Sequence, residues 1–293
     1  MGQKRNRIKQ SAVSITFDVF NHILLAAIGV VTLLPLVYVI AASFVPSDVY
    51  FKNPVFIIPP VVTLDNYRQI FIADTVPRAL LVSFYLTFTG VCISIILNVL
   101  TAYPLSRKQL KGRTVISFLI TFTLIFNAGI VPLYMVVNQL RLVNTFWAVL
   151  LPMGINAWSC LIFKNFFSNI PVELEESARI DGCTDIGILV RIVLPLSKPI
   201  IATFVVFFGV NYWSQWFYPT LFLNDYRKWP IQVVLRQFIE TAAMSEPGED
   251  QMTIPAEVIK MCIITITTLP IITIYPFAQK YFTKGVLLGS VKG

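Results

Sequence analysis

The sequence is poor in charged residues and lacks the residue clusters that mark most soluble enzymes. Only 13% of its 293 residues are Asp, Glu, Lys or Arg, whereas a soluble domain carries roughly 25%. The four cysteines are scattered without a C-x-x-C pair or a neighbouring histidine cluster, so we expect neither a disulfide framework nor a metal site. No G-x-x-x-x-G-K-[ST] phosphate loop occurs, which argues against a nucleotide site of that kind in this chain.

Long apolar blocks dominate what is present. Hydrophobic residues make up 56% of the chain, and the mean hydropathy is +0.73. Six blocks are long enough to cross the hydrocarbon core, which takes about 20 helical residues: Ile23–Phe44, Ala79–Leu105, Val115–Val137, Thr145–Phe163, Pro199–Phe222 and Met261–Ala278. The sequence therefore predicts an all-α integral membrane protein with about six transmembrane helices. Because no internal repeat is evident, we expect residues 1–293 to form a single domain.

The basic residues lie between these blocks and predict an orientation. The net charge is +8, but no basic stripe interleaved with aromatics occurs, so nucleic acid is not an expected partner. Segments 1–22, 106–114, 164–198 and 279–293 hold 15 of the 23 Lys and Arg residues. Since the richer side of a membrane protein faces the cytoplasm, both termini are predicted to be cytoplasmic, the first as a basic tail over residues 1–14.

None of the six blocks contains an Asp, Glu, Lys, Arg or His. Transporters driven by a proton or sodium gradient generally need such buried groups, so uphill transport would have to draw its energy from another chain. The alternative is a secondary transporter half or a channel that works without ATPase subunits. A membrane enzyme would need a cluster of catalytic groups near one interface, and no such cluster is visible.

The connection over residues 171–195 predicts a protruding helix–turn–helix. Pro171 is suited to open a helix, Gly182 to end it in a left-handed conformation, and Thr184 to cap a second short helix that stops before Pro195. Leu174 and Ala178 are spaced to share one face. The expected element is acidic with a small apolar face, and it suits a cleft on a partner protein.

This hairpin carries a resemblance to a known family. Glu176-Ser177-Ala178, then Gly182, then Ile192-Val193-Leu194-Pro195 resembles the cytoplasmic loop Glu-Ala-Ala-x3-Gly-x9-Ile-x-Leu-Pro of binding-protein-dependent ABC importer permeases, with Ser177 as the one departure. Residues 63–67, 126–132, 144–147 and 281–293 are similar to the carbohydrate-uptake branch. Within it, the chain resembles the maltose-type second permease and, more closely, the Lpl-type oligosaccharide permeases, a group that includes importers of uronate oligosaccharides such as alginate fragments.

The resemblance implies a type I ABC importer permease fold in the bacterial inner membrane, with 171–195 as the coupling helix hairpin. It implies as partners a second permease, two ATP-binding-cassette subunits that bind ATP and Mg, an extracytoplasmic solute-binding protein and a carbohydrate. No cofactor is expected in this chain. The residues implied in ATPase coupling are Glu176, Ser177, Ala178, Asp181, Gly182, Leu194 and Pro195.

Polar and aromatic residues in the fifth block suggest a path for the sugar. Asn211, Gln215 and Tyr218 are spaced to share one helical face. Trp213 and Trp216 flank this face. Amide, hydroxyl and aromatic groups are suited to line a sugar path; the alternative is an interface belt with ordinary interhelical hydrogen bonds. Weaker path candidates are Asn98, Asn127 and Asn156. With no basic residue inside a block, an acidic sugar would have to be recognised by neutral donors or by partner chains.

Overall fold

A computed structural model describes residues 12–244 and 256–290, and within these ranges the chain is helical without strands. The α-helices there are α1 (Ala12–Ser43), α2 (Ser47–Lys52), α3 (Asp65–Ile72), α4 (Thr75–Ser106), α5 (Arg113–Ile125), α6 (Ile130–Gln139), α7 (Trp147–Gly154), α8 (Ala157–Ser168), α9 (Val172–Ile180), α10 (Asp185–Ile188), α11 (Leu194–Leu196), α12 (Lys198–Trp213), α13 (Phe217–Phe222), α14 (Ile231–Met244) and α15 (Ala256–Ser290). A π turn (Leu189–Val193) joins α10 to α11, and a 3-10 turn (Tyr226–Lys228) precedes α14.

The predicted number of spans is confirmed, but half of the spans are bent. Three stretches in the described part are long and apolar enough to cross a membrane unaided: Thr16–Ser43, Thr75–Ser106 and Glu257–Ile274. Three pairs of shorter helices reach that length only together, namely α5 with α6, α7 with α8, and the Asp185–Leu196 run with α12. Counting each bent pair as one span gives up to six spans in the described ranges.

The first span begins earlier than predicted. We expected a tail over residues 1–14 followed by a span from Ile23, whereas α1 already begins at Ala12. Residues 12–14 of the expected tail are thus helical, and the rest of it lies outside the described residues. Near the other terminus, the predicted span Met261–Ala278 falls inside the longer helix α15.

The third predicted span, Val115–Val137, is not one continuous helix. The chain bends by 120° between its two halves, α5 and α6. The cause lies at the join, where Gly129 takes the left-handed φ of 83° and Asn127 Oδ1 accepts a hydrogen bond from the Gly129 N–H at 2.9 Å. An Asx turn and a left-handed glycine both compete with helix continuation, so the chain reverses within the apolar block.

The fifth predicted span, Pro199–Phe222, is also interrupted. Helix α12 ends at Trp213, and α13 begins at Phe217. Gln215 Oε1 accepts a hydrogen bond from the Phe217 N–H at 3.0 Å in place of a backbone carbonyl one turn earlier. Asn211, Gln215 and Tyr218 therefore do not share one helical face, and that part of the prediction is wrong.

A stripe of buried, mostly small residues along α4 organises the bundle. The residues recur at every fourth position: Leu86, Gly90, Ser94, Asn98, Ala102 and Ser106. Helix α4 packs with α7, α8 and α12. Small side chains let helix backbones approach closely in a membrane, where no hydrophobic effect drives helices together. This stripe explains why α4 lies at the centre of the fold.

Tyr212 of α12 fits against the stripe at Gly90. A Cβ added to Gly90 would lie 2.5 Å from the Tyr212 ring. The Tyr212 hydroxyl lies 3.2 Å from Ser94 Oγ and donates a hydrogen bond to the Leu150 carbonyl of α7 at 3.2 Å. One side chain thus joins α4, α7 and α12, and glycine at position 90 makes room for it.

We expect Gly90→Ala to destabilise the purified chain by about 1–3 kcal/mol, the usual cost of overpacking a filled site. Gly209→Ala is the matched control, because a Cβ there would meet Val91 at an ordinary 3.9 Å and alanine favours the helix. Thermal unfolding in detergent measures both. Equal melting temperatures for the two variants would contradict the close approach at Gly90.

Candidate coupling site

The hairpin between α8 and α12 is built from local capping interactions. Helix α9 ends at Ile180, and two residues later Gly182 takes a φ of 82°. The Gly182 N–H donates to the Arg179 carbonyl at 3.0 Å, and the Cys183 N–H donates to the Ala178 carbonyl at 2.9 Å. These two bonds form a Schellman motif, in which a left-handed residue satisfies the last carbonyls of a helix. The predicted left-handed end at Gly182 is confirmed.

The second helix of the hairpin also begins as predicted but ends differently. Thr184 Oγ1 accepts a hydrogen bond from the Gly187 N–H at 3.2 Å, which confirms the predicted cap. The helix does not stop before Pro195, since it continues through the π turn Leu189–Val193 to Leu196. A proline ring collides with the carbonyl four residues earlier in a regular α-helix. We attribute the tolerance of Pro195 to this wider turn, in which the Leu194 N–H donates to the Leu189 carbonyl.

A buried ion pair ties the hairpin to the bundle. Glu175 of α9 pairs with Arg107, which follows directly after α4. The side chains are only 5% and 14% exposed. Arg107 also donates to the carbonyl of Phe167 in α8 at 3.2 Å, and its guanidinium carbon lies 4.9 Å from the centre of the Tyr103 ring. One arginine therefore joins α4, α8 and α9.

The charged form of Glu175 depends on Arg107, because the Glu175 carboxyl is buried. Burial raises the pKa of the Glu175 carboxyl, and the nearby Arg107 guanidinium opposes that shift. Desolvated charges are tolerated when they are paired and hydrogen-bonded. The pair could not be predicted from the sequence, where Glu175 is one of several acidic residues in a first helical turn and nothing connects it to Arg107.

Most of the predicted coupling residues lie on the free surface of the hairpin. Glu176, Ser177, Asp181, Gly182 and Pro195 are exposed, and Leu194 is half-buried. Ala178 faces the bundle and is 7% exposed.

Apolar side chains near the tip lie on the same free surface. Ile180 is 87% exposed and Ile186 is 75% exposed. Leu174 is exposed whereas Ala178 is buried, so these two residues do not form the small apolar face that was predicted.

Several of the predicted path residues make hydrogen bonds between helices or at a helix cap. Trp213 is buried and donates to the Thr267 carbonyl at 3.0 Å. Asn156 caps α8, with its Oδ1 accepting from the Trp158 N–H at 2.8 Å, and buried Asn98 accepts from Ser159 Oγ at 2.8 Å. Asn211 and Trp216 are exposed, and Tyr218 is half-buried. A role of these residues in a sugar path stays a prediction.

The comparison with protein families is decisive. Residues 11–288 match the model of the family described as the binding-protein-dependent transport system inner membrane component. The chain belongs to this family. Its helical bundle with bent spans is thus the fold of an importer permease, and the hairpin over residues 172–196 carries the sequence pattern that first indicated the family.

Two relatives of this permease come from Bacillus subtilis (strain 168). The protein LplC is 44% identical over 280 residues, covering 94% of this chain and 95% of the relative. The polygalacturonan/rhamnogalacturonan transport system permease protein YtcP is 45% identical over 282 residues, covering 94% and 98%.

A solved structure agrees with the fold over nearly the whole length. It is one chain of a bacterial ABC transporter involved in the import of the acidic polysaccharide alginate. It superposes with a TM-score of 0.87 at 28% identity and covers 94% of this permease and 99% of the other chain.

Proposed function

We propose that this permease is one translocating subunit of a heteromeric oligosaccharide importer, energised by ATP hydrolysis on separate subunits. The observation that carries the proposal is the hairpin over residues 172–196. Its tip is exposed, and the buried Arg107–Glu175 pair holds its first helix to the bundle. A docking element on an ATPase needs both features: a free surface to receive the partner, and a stiff connection to pass its motion on.

The connections of the hairpin indicate how a displacement would spread. The hairpin leads directly into α12, from which its second helix is bent by 80°. Arg107 connects α9 to the end of α4 and to Phe167 of α8. A displacement of the hairpin would therefore be transmitted to α4, α8 and α12 together, because these helices pack against one another. Such a rigid unit suits an alternation between inward-open and outward-open states.

The opposite end of the molecule is suited to receive the substrate. Helix α4 has 32 residues and is about 48 Å long at a rise of about 1.5 Å per residue. Its first half meets the segment after α13, since Arg78 lies 5.4 Å from the centre of the Tyr226 ring and Ser83 Oγ accepts from the Ile231 N–H. We place this end outside the cell and the hairpin, with both termini, in the cytoplasm.

The proposed substrate is an acidic oligosaccharide that a solute-binding protein delivers to the outer face formed with a second permease. A relative named for polygalacturonan/rhamnogalacturonan transport and a structural neighbour involved in alginate import support this class.

Reconstitution tests the proposal. The chain, purified from its native membrane by an affinity tag, should co-purify with a second permease and an ATPase. Proteoliposomes of that complex should accumulate oligogalacturonate when supplied with ATP and the binding protein. Sustained uptake by this chain alone, driven by an ion gradient, would favour the secondary transporter instead.

Cysteine cross-linking tests the orientation in a variant without native cysteines. Ile180→Cys, at a site that is 87% exposed on the hairpin, should cross-link to the ATPase. Val55→Cys is the control at a site that is 93% exposed in the segment between α2 and α3, and it should not. Labelling of residue 180 from outside the cell would reverse the assignment.

A further inference from the structure

A cavity of about 330 Å³ lies between α13 and α14. Helix α14 begins beside the first half of α4, since its Ile231 N–H donates to Ser83 Oγ. Its volume is at the small end of the range for small-molecule sites, about 300–1,000 Å³. Aromatic side chains of Trp216, Phe217 and Trp229 form part of its lining. A polar wall formed by Arg236, Gln237 and Glu240 of α14 adjoins it.

The polar wall is one face of α14 and combines donors with acceptors. The Arg236 guanidinium carbon lies 3.9 Å from the centre of the Trp216 ring, and Arg236 Nε donates to Glu240 Oε1 at 2.8 Å. An arginine is a donor only and an ionised glutamate an acceptor only. Their side chains are 45% and 54% exposed, so both remain accessible to a ligand.

The aromatic wall is held in place by hydrogen bonds behind it. The Trp229 indole N–H donates to the Leu223 carbonyl at 2.8 Å. The adjoining segment is fixed by Asn144, whose N–H donates to the Phe222 carbonyl at 2.7 Å and whose Oδ1 accepts from the Asp225 N–H at 3.1 Å. A site whose walls are fixed before the ligand arrives loses less free energy to ordering on binding.

We propose that this cavity is a glycosyl-binding subsite, where one sugar unit of the incoming oligosaccharide rests before translocation. A sugar ring offers apolar C–H faces, which suit the aromatic wall, and hydroxyls that both donate and accept, which suit Arg236 and Glu240. Arginine is also well shaped to bind a carboxylate, so a uronate unit has an additional contact here. This inference rests on the proposed function, and it gives the chain a basic sugar-binding group at the mouth of the bundle, outside the apolar blocks.

The test uses the complete transporter with two probes, trigalacturonate and its carboxyl-reduced, neutral counterpart. Losing one charged hydrogen-bonding group in the cavity, and with it the Arg236–Glu240 pair, should raise the KM of uptake at least about tenfold in Arg236→Gln and in Glu240→Gln. A larger rise for trigalacturonate than for the neutral probe in Arg236→Gln would assign the carboxylate contact to Arg236. An equal rise for both would assign recognition to the hydroxyls; either result supports a glycosyl subsite.

Tryptophan fluorescence provides a readout that a merely structural role would not change. Either trisaccharide, added without binding protein or ATP, should alter the emission of the wild-type transporter, and most of that change should be lost in Trp216→Phe and Trp229→Phe. Trp147→Phe is the control, since Trp147 is 49% exposed and does not line the cavity.

Unchanged KM values in both α14 variants, with an unchanged fluorescence response in Trp216→Phe and Trp229→Phe, would overturn the subsite and leave the importer function standing. If the wild-type transporter imports neither trisaccharide, the proposed substrate class fails and the subsite fails with it.

Discussion

Arg107→Met should abolish uptake and remove the stimulation of ATP hydrolysis by substrate. The change leaves the buried Glu175 carboxylate without its partner and removes the hydrogen bond to the Phe167 carbonyl. Breaking a buried ion pair from one side costs about 3–5 kcal/mol, which is large enough to release α9 from the bundle. Uptake and ATPase assays on the reconstituted complex, with thermal unfolding of the purified complex, measure the effect.

Arg179→Met on the same hairpin is the matched control. Arg179 also forms an ion pair, with Asp185 at 2.9 Å, but the two side chains are 49% and 75% exposed. Exposed pairs contribute about 0–1 kcal/mol, so this variant should retain most of the uptake.

A double variant separates stability from coupling. Arg107→Met with Glu175→Gln removes both buried charges and should recover most of the lost stability, because neutral replacement of a whole buried pair is often tolerated. If the single Arg107→Met variant retained normal substrate-stimulated ATP hydrolysis, the pair would have no role in transmission.

The parts of this permease that could be predicted from sequence are those set by local chemistry. Hydropathy over about 20 residues predicts that a segment lies in the membrane, and the number of spans followed from it. The caps at Gly182 and Thr184 depend on backbone conformation and on side-chain hydrogen bonds within a few residues. Both could therefore be assigned from residue type alone.

Hydropathy shows that a segment is apolar but not whether its helix bends, which explains why the bent spans were predicted as continuous helices. The Asx turn at Asn127 and the side-chain bond of Gln215 redirect the chain inside blocks that are apolar throughout. A continuous helical face was therefore assigned across the end of α12. Pro195 was taken as a helix stop for a similar reason, since a π turn that accommodates it has no clear sequence signature.

Contacts between distant segments were beyond sequence reasoning. Arg107 was counted as one basic residue of a cytoplasmic segment, and Arg236 as one of the basic residues on the other side. Their roles depend on which side chains the fold brings beside them, Glu175 for the first and Trp216 with Glu240 for the second. No spacing rule connects residues that meet only through the packing of separate helices.

Gly182→Val should abolish uptake while the chain still inserts into the membrane. Gly182 has a φ of 82°, and among the described residues no atom lies within 4 Å of where its Cβ would be. A side chain at this position would therefore cause no steric clash, and the free-energy cost of the substitution comes from the backbone conformation. The left-handed conformation costs an ordinary L-residue roughly 1–2 kcal/mol, and a β-branched residue is a clear outlier there.

Gly182→Asn distinguishes the backbone effect from loss of contact with the partner. Asparagine tolerates the left-handed conformation and adds a side chain of similar size to valine at the same exposed position. If the Schellman turn sets the angle between α9 and the second hairpin helix, the asparagine variant should retain substantial uptake and the valine variant should not. Equal loss in both would mean that any side chain at position 182 blocks docking, whereas normal substrate-stimulated ATP hydrolysis in Gly182→Val would remove the turn from the coupling pathway altogether.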